Sequence, residues 1–251
     1  MEKSSPSWRP LVAYVLPFVV FMVLTPVEGL EDLRSWFPVL YGIKTLCILG
    51  AVWWGRRYYP SWSWKGIGWG LVFGLAGGVG WIVLCVWNIE QGVLPGILSS
   101  VGQWLNMPSL AEWLKPGNRL GYNPFADLSP ASGWSFAVVR LIGMVIAVPL
   151  MEELFWRGFL NRALINDDWR DIFNDHWDTV PWGKVTRFSS IVVTLLFVSV
   201  HTEWTAALFW GTGIMVVYWS TRNLWACVVA HAASNAVLGY YILAYEQWGL
   251  W

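Results

Sequence analysis

Residues 134–160 read WSFAVVRLIGMVIAVPLMEELFWRGFL, a run long enough to cross a bilayer that nonetheless holds Arg140, Glu152, Glu153 and Arg157. A membrane-spanning helix needs roughly 20 predominantly apolar residues. Working outward from this run, further apolar stretches lie at 10–27, 36–55, 66–89, 188–203, 204–221 and 224–245. The fifth and sixth runs in chain order are short and adjoin, as in a tight helical hairpin or a partly re-entrant pair. The chain is 56% hydrophobic and only 13% charged, with a mean hydropathy of +0.47. A soluble domain carries about a quarter of its residues charged and does not repeat such runs. Backbone polar groups in hydrocarbon must be satisfied within the segment, so these runs are helices. The expected fold is an all-α polytopic membrane protein, a bundle of about seven to eight transmembrane helices. It is read as a single integral membrane domain over 1–251, with its motif-bearing core at 134–245.

The formal net charge is zero, which gives no reason to expect nucleic acid or another polyanion as a partner. Where the charges fall is more informative. With the N-terminus inside, the inner segments hold Lys3, Arg9, Arg56, Arg57, Lys65, Arg162, Arg170, Lys184, Arg187 and Arg222, and the outer ones Arg34, Lys115 and Arg119. This positive-inside bias predicts a cytoplasmic N-terminus. The first run is followed by Thr25-Pro26-Val27-Glu28, a poor cleavage site, so it reads as a retained helix.

Many of the 22 tryptophans, among them Trp36, Trp53, Trp54, Trp62, Trp64, Trp87, Trp134, Trp204, Trp248 and Trp251, fall near run ends as interfacial anchors. Cys47, Cys85 and Cys227 lie in apolar runs without CxxC spacing, which argues against a disulfide framework or cysteine metal site. In the segment 90–133, SLAEWLKPG suits an interfacial helix. The inner loop 161–188 carries Asp167, Asp168, Asp171, Asp175, Asp178 and His176, whose spacing matches no calcium loop and reads as a solvated face.

Polar residues inside the apolar runs are few enough to name. Lys44 and Arg140 lie within runs; Glu152, Glu153 and Arg157 share the fourth; His201 ends the fifth, followed by Glu203; His231 and Asn235 share the seventh. Each charge at a helix centre costs about 2.5–3.5 kcal/mol on insertion scales, so an intramembrane set of this kind points to a functional site. Glu153 and Arg157 are spaced i,i+4 and meet on one face. Glu152 has Trp156 at that spacing, which makes one glutamate structural and leaves the other free for chemistry. Pro149 removes an amide just upstream and loosens the helix near the pair. His231 and Asn235 project together at i,i+4, and Phe197 shares a face with His201, where its ring walls the site.

Desolvation in an apolar pocket suits a carboxylate to accept a proton from water near neutral pH. One histidine positions that water, while a second histidine and an asparagine amide donate to the oxyanion of a tetrahedral intermediate. These parts fit hydrolysis of an acyl bond. No GxSxG or HExxH pattern is present. Glutamate and two histidines also make a three-ligand zinc site with an open position. No cofactor is expected, because the asparagine and the unpaired glutamate suffice; zinc is the alternative.

EELFWR at Glu152–Arg157 resembles the EExxxR motif of the CAAX-protease and bacteriocin-processing family. FVSVH at Phe197–His201 resembles its FxxxH motif and HAASN at His231–Asn235 its HxxxN motif. The three stand in the family's order on separate apolar runs. The resemblance implies an intramembrane glutamic endopeptidase of about eight helices, with Glu152 and His201 activating water, His231 and Asn235 forming the oxyanion hole, and Glu153, Arg157 and Phe197 in support. Its substrate is expected to be a protein or peptide with the scissile bond in or next to a membrane segment. In length and tryptophan-rich body the chain is also similar to bacterial relatives associated with exosortase-type systems, which implies a C-terminal sorting tail as one form of substrate. Two other function classes stay open: a non-catalytic immunity or regulatory protein that binds a peptide, and a proton-coupled transporter. The intact histidine and asparagine positions favour the enzyme over the binder, and the lack of internal symmetry disfavours the transporter.

Overall fold

The computed structural model describes residues 8–107, 109, 121–165 and 177–251. Helix α1, Trp8–Glu28, leads through a 3₁₀ turn, Glu31–Trp36, into α2, Phe37–Gly55, and the two pack side by side. Helix α3 is Ile67–Trp87, and α4, Leu94–Trp104, follows a π turn. Helix α5 is a continuous rod, Pro130–Ala163, interrupted by π turns at Gly143–Ala147 and Leu154–Leu160. The set closes with α6, Arg187–Ser199, α7, Trp204–Thr221, and α8, Leu224–Tyr245.

Five described helical stretches are long and apolar enough to cross a membrane: α1, α2 with its preceding turn, α3, α5 and α8. The run 188–203, already short in the sequence, holds a still shorter helix, because α6 stops at Ser199 after 13 residues. At 1.5 Å per residue that is about 20 Å, against about 30 Å of hydrocarbon. α6 and α7 are joined by only Val200–Glu203 and pack on one another, as a tight helical hairpin.

Helix α8 is the axis of the bundle. Of its apolar window 56% is buried, against 22% for each of α1, α2 and α3. It packs most extensively on α3, through Gly70, Gly74 and Gly78. A Cβ at Gly70 would run into the Ala226 carbonyl, at Gly74 into the Ala230 carbonyl, and at Gly78 into that of Ser234. Where lipid tails are as apolar as any side chain, such small-residue stripes are what let two helices approach closely. The N-cap of α8 fixes its depth. Asn223 accepts from Trp225 N with its side-chain oxygen, while its Nδ2 donates to Ser63 O and Lys65 O just before α3.

The isolated charges in the runs find partners. Lys44 of α2 forms a buried ion pair with Glu28 of α1 and lies over the rings of Phe21 and Tyr41. Arg140 of α5 lies against the rings of Phe37, Tyr41 and Trp251 and donates to Trp251 O at 2.6 Å. Within 90–133, helix α4 precedes the stretch in which the sequence suggested an interfacial helix. Its exposed Ile97, Val101 and Trp104, with Leu105 just beyond, make one apolar side in an otherwise polar segment. The interfacial helix expected at SLAEWLKPG falls outside the described residues apart from Ser109, as do Lys3, Lys115, Arg119, Arg170, Asp167, Asp168, Asp171, Asp175 and His176.

Candidate active site

Pro149 determines the shape of α5 beside the site. In the π turn Gly143–Ala147 the Val148 amide bonds Gly143 O, five residues back. The same register would pair Met144 O with the amide of residue 149, which proline lacks. Met144 O is therefore free within its helix, and Asn235 Nδ2 of α8 donates to it at 2.8 Å. One N–H of the asparagine amide is thus engaged, its carboxamide is held in place, and its second N–H is left for another acceptor.

Glu153 is completely buried and joins two helices. Its Oε1 accepts from Arg157 Nη1 at 3.3 Å and from His231 Nδ1 at 2.9 Å. Arg157, equally buried, also donates from Nη2 to Gly211 O at 3.5 Å and lies over the rings of Phe197 and Trp210. The guanidinium compensates the carboxylate, and an ionised Glu153 can only accept, so His231 Nδ1 carries a proton. Nε2 is the nitrogen left for the pocket. It is a lone-pair acceptor in the neutral ring and becomes a donor only in the imidazolium.

His201 sits beyond the end of α6, in the link to α7, rather than within a helix. Its own amide bonds Val198 O in a tightened last turn, which leaves Phe197 O without its usual i+4 partner. His201 Nδ1 takes that carbonyl at 2.7 Å. A carbonyl only accepts, so Nδ1 bears the proton and the neutral ring presents the Nε2 lone pair. The Phe197 ring lies 4.2 Å from the imidazole, centroid to centroid, and Trp81 flanks it at 5.7 Å. The wall expected from Phe197 is present, although a helix end rather than a helix face brings the two rings together.

Glu152, His201, His231 and Asn235 line one cavity of about 220 Å³, with Phe197, Trp81, Trp210, Met144 and the segment Gly249–Trp251. Glu152 is 4% exposed, and its Oε2 has no hydrogen-bond partner among the described residues. The two glutamates have thus separated as the spacing predicted: Glu153 is tied to Arg157, and Glu152 faces the cavity.

Several contributors escaped the sequence reading. Glu90, 2% exposed, accepts from the Thr205 amide with Oε1 at 2.5 Å and so caps α7 from another helix, holding the link that carries His201. An acid at the end of the third apolar run was the available signal. Trp210, 4.5 Å from the His231 ring, looked like any other core aromatic. As for zinc, among the described residues no three His, Cys, Asp or Glu side chains converge as a metal-holding group. Both histidines have Nδ1 hydrogen-bonded, His231 to Glu153 Oε1 and His201 to Phe197 O, so each presents Nε2 to the cavity, an arrangement that metal-ligating histidines share.

Residues 134–237 match the family model described as type II CAAX prenyl endopeptidase Rce1-like. The match begins in α5, ends in α8 and contains every residue of the three motifs. Comparison with curated proteins and with solved structures gave no match.

Proposed function

We propose that this membrane protein, which carries an Rce1-like domain of the CAAX-type intramembrane protease family over residues 134–237, is a glutamic endopeptidase that cuts a peptide bond in or next to a membrane segment. The observation that carries the reading is one cavity lined by a buried, unpartnered carboxylate oxygen of Glu152 together with His201, His231 and Asn235.

In this reading Glu152 and the Nε2 lone pair of His201 each accept a hydrogen bond from a water, and Glu152 takes its proton as it attacks the scissile carbonyl. The developing oxyanion meets the second N–H of Asn235 and Nε2–H of His231. His231 donates there as an imidazolium, and Glu153 at its Nδ1 supports that charge state. With Glu152 and Glu153 ionised, and Arg157 and His231 protonated, the four buried charges sum to zero, which suits a site surrounded by lipid. The proton on Glu152 then passes to the leaving amine. This is a metal-free mechanism, with the N-terminus on the cytoplasmic side of a bacterial inner membrane and a C-terminal sorting tail as a candidate substrate.

The test compares membrane-protein termini by mass spectrometry in cells holding wild type or Glu152→Gln at equal abundance. New termini are expected with wild type alone, since loss of a general base costs about 10²–10⁴-fold in rate. Identical termini in both would sink the protease reading and favour a peptide binder.

A further inference from the structure

Away from the motif residues, Trp8, Arg9, Trp53, Trp54, Arg56, Arg57 and Tyr58 line one open cleft. It lies where α1 begins and α2 ends, so both helices deliver their charges to the same end of the pair. Its base is fixed: Tyr59 Oη donates to Ala13 O at 2.8 Å, and Tyr14 Oη donates to Tyr58 O at 3.0 Å. The Arg56 guanidinium lies 3.9 Å from the Trp53 ring centroid and donates to Trp53 O at 2.8 Å. Among the described residues, no ion pair involves Arg9, Arg56 or Arg57.

Three guanidiniums around one cleft repel each other unless an anion sits between them, and their forked donors match phosphate oxygens. The rim is apolar and open. Trp8 is 61% exposed and Trp53 67%, each at the end of a helix long and apolar enough to cross a membrane. A free phosphate has no use for such a rim, whereas a phosphodiester attached to acyl chains does.

We propose that this cleft binds the headgroup of an anionic phospholipid, with Arg9, Arg56 and Arg57 on the phosphate and the indoles of Trp8, Trp53 and Trp54 beside its glycerol and upper acyl chains. The site lies outside the residues of the proposed protease chemistry, and its test does not depend on cleavage.

The protein is titrated with phosphatidylglycerol against a phosphatidylcholine background in detergent, and bound lipid is counted by native mass spectrometry. Wild type retains phosphatidylglycerol, and the double variant Arg56→Gln/Arg57→Gln loses about 30-fold in apparent affinity, the effect of two interfacial arginines. Arg34→Gln, which removes one arginine charge near the opposite end of α2 as Arg9→Gln does at the cleft, leaves retention unchanged. Excess inorganic phosphate leaves it unchanged too. Equal retention by wild type and the double variant overturns the proposal, as does an equal loss in Arg34→Gln. Displacement by inorganic phosphate overturns the lipid assignment in favour of a free-anion site. Should the double variant fail to fold, Arg9→Gln reads the same loss at smaller size, and its retaining lipid like wild type has the same overturning force.

Discussion

Glu152 and Glu153 are neighbours in the chain but about 100° apart around α5, and that rotation gives them different partners. Glu153 turns inward to Arg157 and His231, whereas Glu152 turns to the cavity. Replacing Glu153 with glutamine leaves Arg157 buried without its counter-charge, a change that costs about 3–5 kcal/mol for buried pairs. Glu153→Gln is therefore expected to lower both folded yield and thermal stability, while Glu152→Gln, which breaks no ion pair, keeps wild-type stability and loses cleavage. Melting curves of the two purified variants check this; equal melting temperatures would refute the division of roles. The i,i+4 pairs were legible because helix geometry alone brings such residues together. The contact of Glu153 with His231 was not, since the residues are far apart in sequence and only the docking of α8 on α5 makes them neighbours.

At the scale of the element, Pro149 links a local backbone fault to a distant side chain. Pro149→Ala supplies the missing amide and gives Met144 O a partner within α5, in competition with Asn235. The variant is expected to be more stable, since an interior proline costs about 3 kcal/mol. It is also expected to cleave about 10²-fold more slowly, the cost of a small misplacement of a catalytic group. Stability and cleavage measured on one preparation test the opposed signs; a rise in both would refute the coupling. A proline beside a paired glutamate announced a weak point in the helix. Which carbonyl it released, and to whom, depended on the π register that α5 adopts. His201 makes a similar case: the run 188–203 looked continuous, but α6 ends early and its orphaned carbonyl at Phe197 positions the imidazole.

For the molecule as a whole, the α3–α8 interface sets where His231 and Asn235 lie. Gly74→Leu drives a side chain into the Ala230 carbonyl, one residue before His231, whereas Gly80 has nothing within 4 Å of an added Cβ. Gly74→Leu is expected to cost about 1–3 kcal/mol or more by overpacking and to reduce cleavage, while Gly80→Leu leaves both close to wild type. Thermal melting and cleavage of the pair decide it, and indistinguishable variants would remove α3 from any role in positioning the site. By itself the sequence determined the all-helical membrane fold, because long apolar runs in lipid admit no other backbone arrangement without a barrel's alternation. It also determined the pairs that share a helix face, because their spacing is local. Only the tertiary structure decided that Glu153 serves His231, that Met144 O holds Asn235, that Glu90 caps α7, and that three separate motifs open on one cavity. These contacts join residues from different helices, and their distances depend on how closely the helix backbones approach rather than on any spacing within one run.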